Sequence, residues 1–265
     1  MAKAPLDLTQ GPIGRNLLLF ALPILAGNIA QSLNGSVNAV WVGRFLGEAA
    51  LTATANANNI MFFLIGSVFG FGMASSILIG QAMGARDLAQ ARRVVGTSAT
   101  FFIGLSVLIA IAGWFLAQPL LHAMGTPAAS LPLAEAYLRI IFLAMPTLYA
   151  FAFLSAALRG AGDSRTPFRF LLVAVLLDIA LNPLLIFGLG PFPALGIAGS
   201  AWATLVSQSL SLAALLLYMR HKRHPLWLGR ADLRLFVLDL AIVRALVIKG
   251  VPMGLQMVLI SLSVI

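Results

Sequence analysis

The chain has 265 residues, of which 60% are hydrophobic and 9% are charged, and its mean hydropathy is +0.99. Soluble domains carry about 25% charged residues, so this composition excludes an ordinary soluble domain and favours an integral membrane protein. The absence of cysteine excludes a disulfide framework and thiolate metal sites. The meaning of the net charge of +9 depends on where the charges lie along the chain.

Six apolar stretches are long enough to cross a bilayer, which takes roughly 20 residues. In chain order they cover about 16–41, 51–82, 94–118, 133–158, 167–188 and 195–219, and a seventh begins near 246 and runs to Ile265. Turn and charge clusters such as GARDLAQARR and RGAGDSRTP separate the spans. The N-terminal MAKAPLDLTQGPIGR leads directly into a span, so it is not interpreted as a signal peptide.

Positive charge is concentrated on one side of the predicted membrane. Of the 17 Lys and Arg, 15 fall at the N-terminus, in the loops after spans two, four and six, or on the approach to span seven. Only Arg44 and Arg139 fall on the other side. This asymmetry predicts a cytoplasmic N-terminus. The basic pI therefore reflects orientation in the membrane, and no nucleic-acid partner is expected.

Span one carries four amide side chains at spacings of three, three and four, which places them on one face of a helix: Asn28, Gln31, Asn34 and Asn38. Such amides either hydrogen-bond to neighbouring helices or line a water-filled cavity. Four in register exceed what association needs, so we favour the cavity. Span two is rich in Phe and Met, including Met61 and Phe63, which suits an apolar wall for flat ligands or an ordinary core or lipid-facing surface.

Span five holds Asp178, the one acidic residue deep in a span. An ionisable group there is costly and indicates function by default. Asn182 follows one turn later on the same face, and Pro183 frees a backbone carbonyl. Together these oxygens could hold a hard cation such as Na⁺, or burial could let the carboxylate bind a proton. The alternative is a buried Asp that serves packing alone.

The last part of the chain suggests a repeat. The connection 220–245 begins with the basic RHKRHPLWLGR and continues as ADLRLFVLDLAIVRAL, which we predict to be a helix along the membrane interface. After it, GVPMGLQMVLISLSVI aligns with ALPILAGNIAQSLNGS, Pro252 on Pro23. We therefore expect a first six-helix lobe over 1–219, a cytoplasmic linker over 220–245 and the first helix of a truncated second lobe over 246–265.

Six landmarks follow one another along the chain: ALPI, VGRFLG, GQAMGARDLAQARR, LRGAGDSRTP, LNPLLIFG and GIAGSAWATLVSQ. With them the chain resembles the first lobe of a multidrug and toxic compound extrusion (MATE) transporter. The resemblance implies an all-α integral membrane fold, namely one six-helix lobe of a twelve-helix, two-lobe transporter with a partial seventh helix. It also implies a cofactor-free exporter of small organic cations or amphipathic drugs, exchanged for Na⁺ or H⁺ across the bacterial inner membrane.

The resemblance also implies an ion-coupling site formed by Asn38, Asp178, Asn182 and Thr204, with Asp178 as the candidate Na⁺ ligand. Asn28, Gln31, Asn34, Met61 and Phe63 would then line the substrate cavity. Two departures leave the coupling ion open: Asn38 stands where the family usually has Asp, and the span-five carboxylate lies one turn earlier than usual. The span-seven stretch QMVLISLS also lacks the Glu that some members have.

Three other functions are possible for a chain of this composition. A flippase for lipid-linked oligosaccharide or cell-wall precursors would need several cationic residues in the cavity, and only Arg139 lies inside a span boundary. An intramembrane enzyme would need a motif such as paired aspartates, a His pair within a span or G-x-S-x-G, none of which occurs. The third alternative is an inactive truncated lobe, because the second lobe is missing from this chain.

Overall fold

A computed structural model describes residues 12–188 and 193–263, and the regular structure in these ranges is entirely helical. A short 3₁₀ helix, Arg230–Leu235, precedes the last of seven α-helices. Helices α1 to α6 are each long and apolar enough to cross a membrane, which confirms the predicted all-α membrane fold. The α-helices are α1 Ile13–Leu46, α2 Glu48–Gly84, α3 Leu88–Ala123, α4 Leu131–Gly160, α5 Arg165–Phe187, α6 Ile197–His221 and α7 Leu240–Ser263.

Several of the joints between helices are short turns built from glycine and aspartate. Gly47 alone joins α1 to α2, with a φ of 87° that suits a residue without a side chain. Asp87 caps α3 by accepting a hydrogen bond from the backbone N of Gln90 at 2.8 Å. Asp163 accepts from the backbone N of Arg165 and Thr166 at the start of α5. Turns therefore fall within the predicted clusters, but most helices extend beyond the predicted spans: α1 covers Ile13–Leu46 against 16–41, and α3 covers Leu88–Ala123 against 94–118.

Helix α5 lies between α1 and α6, and glycines set its distance from both. On α6, a Cβ at Gly199 would lie 2.4 Å from the backbone oxygen of Leu185, so only glycine permits this approach. On α1, a Cβ at Gly27 would meet the side chain of Leu171 at 3.0 Å. Helix α4 packs against α2, α3 and α6, and α7 packs along α2. Polar residues on the facing sides of α1, α5 and α6 are thus brought together.

The segment between α6 and α7 differs from the predicted single interfacial helix. It forms the 3₁₀ helix, then a break, and α7 begins at Leu240, before the expected start near 246. Contacts with α3 explain the break: Arg92 donates to the carboxylate of Asp232 at 2.6 Å and to the carbonyl of Trp227 at 3.0 Å, and Thr97 donates to the carbonyl of Val237 at 3.0 Å. The carbonyls of Trp227 and Val237 accept hydrogen bonds from α3 side chains, and neither residue lies in a helix. The division into lobe, linker and second lobe stays a prediction.

Candidate functional site

Asp178 is 3% exposed and accepts hydrogen bonds from residues of two other helices. Asn34 of α1 donates its Nδ2 to Oδ2 at 2.9 Å, while Thr204 and Ser207 of α6 donate their hydroxyls to Oδ1 at 3.2 and 3.4 Å. A carboxylate buried in an apolar lobe is tolerated only when its oxygens find such donors. The predicted deep acid is therefore the point where α1, α5 and α6 meet.

Two amide oxygens beside this carboxylate have no partner. Asn182 donates its Nδ2 to the main-chain oxygen of Asp178 at 2.9 Å, as Asn34 does to the side chain. In the described part of the chain, the Oδ1 atoms of Asn34 and Asn182 are buried and accept no hydrogen bond. Since the oxygen and nitrogen of one amide share a carbon, both oxygens lie in the same cluster. We call Asn34, Asp178, Asn182, Thr204 and Ser207 the Asp178 cluster.

The chemistry of the Asp178 cluster fits a monovalent cation. Carboxylate, amide and hydroxyl oxygens are ligands for hard cations, and two of them here lack any other partner. No group of three His, Cys, Asp or Glu comes together within residues 12–188 and 193–263. The cluster therefore supplies one negative charge, which matches Na⁺ or a proton on the carboxylate better than a divalent ion.

The predicted amide stripe of α1 is divided between two places. Asn34 belongs to the Asp178 cluster and does not line the cavity that holds Asn28 and Gln31, so its place in a substrate cavity stays a prediction. Asn38 accepts a hydrogen bond from the hydroxyl of Ser200 at 2.8 Å and does not reach Asp178. Asn28 and Gln31 line a cavity nearer the start of α1. The stripe therefore runs from this cavity to the carboxylate along one helix.

Two contributors from α6 were missed by the sequence analysis, namely Ser200 and Ser207. Their signal is a spacing of four, three and four that places four hydroxyls on one face: Ser200, Thr204, Ser207 and Ser211. Read alone, Ser in a membrane helix is unremarkable, so only the joint spacing would have revealed them. Of the predicted coupling residues, Thr204 and Asn182 contact Asp178, and Asn38 sits beside them through Ser200.

A cavity of about 330 Å³ opens between α1, α2, α4 and α5, with Gln208 of α6 also in its wall; we call it the lobe cavity. Much of its wall is apolar, including Phe69 and Met73 of α2. Its polar lining residues are Asn28, Gln31, Ser155, Arg159, Ser164 and Gln208. The predicted Met61 and Phe63 do not line it: Met61 packs against the core and Phe63 is 50% exposed.

Arg139, the one cation that the sequence offered to a flippase, is already engaged. Its Nη2 lies 2.7 Å from Glu135 Oε1, one turn earlier on α4. Its guanidinium carbon also lies 5.5 Å from the ring centroid of Trp114. Arg139 is therefore held by its neighbours and does not face the lobe cavity.

Six apolar helices long enough to cross a bilayer define a multi-pass membrane protein, and a buried carboxylate and a cavity between these helices are features that suit transport. Comparison with known proteins agrees with this class. The family described as MatE matches residues 23–184. The chain therefore belongs to the MatE family, a family of transporters and not of enzymes, and the predicted resemblance is confirmed.

Similar proteins include the probable multidrug resistance protein YoeA of Bacillus subtilis, 40% identical over 95% of this chain and 54% of that protein. An FAD transporter of Shewanella oneidensis is 34% identical over 81% of this chain and 48% of its own length. A solved MOP superfamily transporter from Pyrococcus furiosus has the same fold, with a TM-score of 0.86 and 24% identity over 97% of this chain and 55% of the other. The chain thus spans about half the length of the relatives it matches.

Proposed function

We propose that the protein works in a Na⁺- or H⁺-coupled antiporter that exports cationic or amphipathic compounds by alternating access. The observation that carries this proposal is the Asp178 cluster, in which a buried carboxylate stands beside two unpartnered amide oxygens. The cluster adjoins the lobe cavity, because Gln31 in the cavity wall and Asn34 in the cluster lie one turn apart on α1. Ion and substrate would therefore act on the same helix.

The coupling follows from the charge on Asp178. With a cation bound, the carboxylate is neutralised and the free oxygens of Asn34 and Asn182 gain a partner. Without it, the carboxylate depends on the donors from α1 and α6. The two states therefore favour different arrangements of α1, α5 and α6. One elementary charge moving inward through 100 mV supplies about 2.3 kcal/mol, or roughly fifty-fold in concentration. In this scheme Thr204 senses the ion directly, and Asn38 positions α6 through Ser200.

The wider setting is also part of the proposal. We place the protein in the bacterial inner membrane with a cytoplasmic N-terminus, on the basis of the charge asymmetry. A second lobe would complete the transport pathway, because the relatives are about twice as long as this chain. The name of YoeA supports drug export, and the FAD transporter indicates that a relative carries a different cargo. A flippase would need several cations in the cavity, whereas Arg139 is engaged by Glu135 and only Arg159 lines the lobe cavity among the described residues, so the flippase stays the second candidate. An inactive lobe is the outcome if no gradient drives transport.

The test uses everted membrane vesicles from cells that express the protein. The vesicles receive ethidium or carboxyfluorescein, and a Na⁺ or an H⁺ gradient is imposed separately. We expect one gradient to drive dye uptake and Asp178→Asn to reduce it to the background of empty vesicles, because the substituted side chain cannot hold a charge. The matched control is Asp87→Asn, which keeps the cap of α3 since Asn caps as well as Asp.

Each outcome decides a different part of the proposal. Transport by the control but not by Asp178→Asn supports the coupling role. Equal gradient-driven transport by wild type and Asp178→Asn would mean that the carboxylate is structural. No transport of either dye under either gradient would reject antiport by this chain and leave the flippase or the inactive lobe.

A further inference from the structure

The lobe cavity has one strongly polar corner, where α4 ends and α5 begins. Arg159 lies in the last turn of α4, Ser155 one turn before it on the same face, and Ser164 immediately before α5. All three line the cavity, and Arg159 is the one charged residue among the described lining residues. We call Ser155, Arg159 and Ser164 the Arg159 corner.

Both serine hydroxyls of the Arg159 corner lack a partner. Ser155 is 5% exposed and Ser164 is 2% exposed, and the Oγ atom of each is buried without a hydrogen bond in the described part of the chain. Ser164 stands at the N-cap position of α5 but makes no side-chain cap. Buried polar groups are nearly always satisfied, so the two unsatisfied hydroxyls, together with the unpartnered Oε1 of Gln208 in the same cavity wall, indicate a missing polar partner in the cavity.

Arg159 also lacks a counter-ion. Arg159 pairs with no carboxylate of the described residues. Three other arginines do form ion pairs: Arg92 with Asp232, Arg93 with Asp239, and Arg139 with Glu135. Asp163 lies one turn further along the chain, but its oxygens accept from the backbone of Arg165 and Thr166 and from the Thr166 hydroxyl. A partly buried guanidinium is thus left with its charge uncompensated, which is costly.

Two simpler explanations account for only part of this arrangement. Arg159 in the last turn of α4 interacts favourably with the helix dipole, and an arginine near a helix end can extend to lipid headgroups. Neither explanation accounts for the two buried, unpartnered hydroxyls of Ser155 and Ser164 that line the same cavity as Arg159. Apart from the amides of Asn28, Gln31 and Gln208, the rest of the wall is largely apolar and suits the body of a ligand whose anionic group lies at the Arg159 corner.

We infer that the Arg159 corner binds the anionic group, a carboxylate or phosphate, of an amphipathic compound whose apolar body occupies the lobe cavity. Arginine binds both groups through two parallel N–H donors, and the hydroxyls of Ser155 and Ser164 add donors to the remaining oxygens. The inference rests on the proposed export function in one respect, because it names the class of compound that the cavity would take. The ion at Asp178 and the anion at Arg159 occupy different places.

The test compares two ligands that differ by one phosphate. Riboflavin and flavin mononucleotide (FMN) share the ring system and the ribityl chain, and only FMN carries the anion. Binding to the 265-residue chain in phosphatidylcholine nanodiscs is measured by flavin fluorescence. We expect FMN to bind at least about tenfold more tightly than riboflavin, in line with charge-assisted hydrogen bonds. In Arg159→Gln this preference should disappear while riboflavin binding changes less than about twofold.

Matched variants keep the test decisive. Arg169→Gln makes the same charge change at an exposed residue of α5 outside the cavity wall, and it should keep the FMN preference. Arg159→Lys should keep part of it, and Ser155→Ala with Ser164→Ala should weaken FMN selectively. The double serine variant keeps the charge of Arg159, so it can test the inference if Arg159→Gln does not fold. Repeating the assay with phosphatidylglycerol shows the source of the anion: competition with FMN in the wild type would identify a lipid headgroup as the occupant.

Equal binding of both flavins, an unchanged preference in Arg159→Gln, or no FMN binding up to millimolar concentration would overturn the inference. These outcomes are separate from the vesicle experiment. Selective FMN binding without gradient-driven transport would support the anion site and reject the antiporter. Gradient-driven transport without any FMN preference would support the antiporter and reject the anion site.

Discussion

His224, in the turn after α6, shows how a single side chain can be tuned by burial outside the membrane-spanning helices. Its Nδ1 accepts a hydrogen bond from the backbone N of Leu226 at 3.2 Å, and its Nε2 is buried with no partner in the described structure. Burial lowers the pKa of His224 below its ordinary value near 6.5, and the charge of Asp163 offsets part of that effect. The folded protein therefore favours the neutral imidazole.

This shift predicts a loss of stability in mild acid. Below about pH 6.5 the unfolded chain binds a proton that folded His224 resists, so stability is complete above that pH and falls as the pH drops. The unfolding temperature of the detergent-purified protein, followed between about pH 7.5 and about pH 5, should decrease less in His224→Gln than in wild type. His221→Gln, at an exposed neighbouring histidine, should keep the wild-type slope. Identical slopes in all three proteins would contradict the prediction.

At the residue scale, the sequence pointed to Asp178 but not to all of the residues that hydrogen-bond to it. Asp178 was recognisable because a carboxylate deep in an apolar span is costly. Helical periodicity placed Asn34 and Asn38 on one face, but which amide meets α5 and which meets α6 depends on how the helices cross. That crossing is set by tertiary contacts, such as the close approach at Gly199, and no local pattern encodes it.

Among the helices, α2 and α7 depend on contacts between backbones. A Cβ at Gly70 of α2 would lie 2.2 Å from the backbone oxygen of Gly250 and 2.4 Å from the backbone N of Gly254. Small residues allow membrane helices to approach closely, and that packing replaces the hydrophobic driving force that lipid does not provide. Gly70 therefore determines how closely α7 can lie along α2.

The element-scale prediction is that Gly70→Ala separates α7 from α2. The added methyl meets backbone and not a flexible side chain, so the helices must move apart, and overpacking of this kind costs about 1–3 kcal/mol. The unfolding temperature should fall by several degrees, as measured by the loss of monodisperse protein on heating. Gly104→Ala is the control, because its Cβ would meet nothing within 4 Å. A fall of equal size in both variants would contradict the packing explanation.

Hydropathy predicted the spans better than the segment between α6 and α7, and the reason is physical. A bilayer requires about 20 apolar residues per span, so each of α1 to α6 is visible in the local sequence. The 3₁₀ helix and the approach to α7 depend instead on contacts with α3, namely those of Arg92 with Asp232 and the carbonyl of Trp227 and that of Thr97 with the carbonyl of Val237. A charged segment with apolar periodicity indicates an interfacial helix until such partners are known.

At the scale of the whole molecule, many large hydrophobic side chains on the helices are exposed and must face either lipid or another lobe. Helix α1 is the extreme case: within its most apolar window only 6% of residues are buried. Its amide stripe faces α5 and the lobe cavity, whereas Leu17, Leu25 and Leu33 are exposed. In water, an apolar face of this kind would have to be buried against other protein. In a membrane it can stay exposed, because lipid solvates it. The orientation of this lobe in the bilayer therefore fixes which end of the cavity faces the cytoplasm.

That orientation can be measured without background, because the sequence contains no cysteine. We expect Ala89→Cys, at the exposed start of α3, to react with a membrane-impermeant maleimide only in everted vesicles. Ala128→Cys, in the exposed turn between α3 and α4, should react only in intact spheroplasts. The positive-inside asymmetry requires this pattern, since the basic residues around Ala89 resist translocation. If the pattern holds, the Arg159 corner faces the cytoplasm and Asp178 lies toward the opposite side. The reverse pattern would invert the proposed direction of transport, and labelling of both positions from one side would contradict the six-span topology.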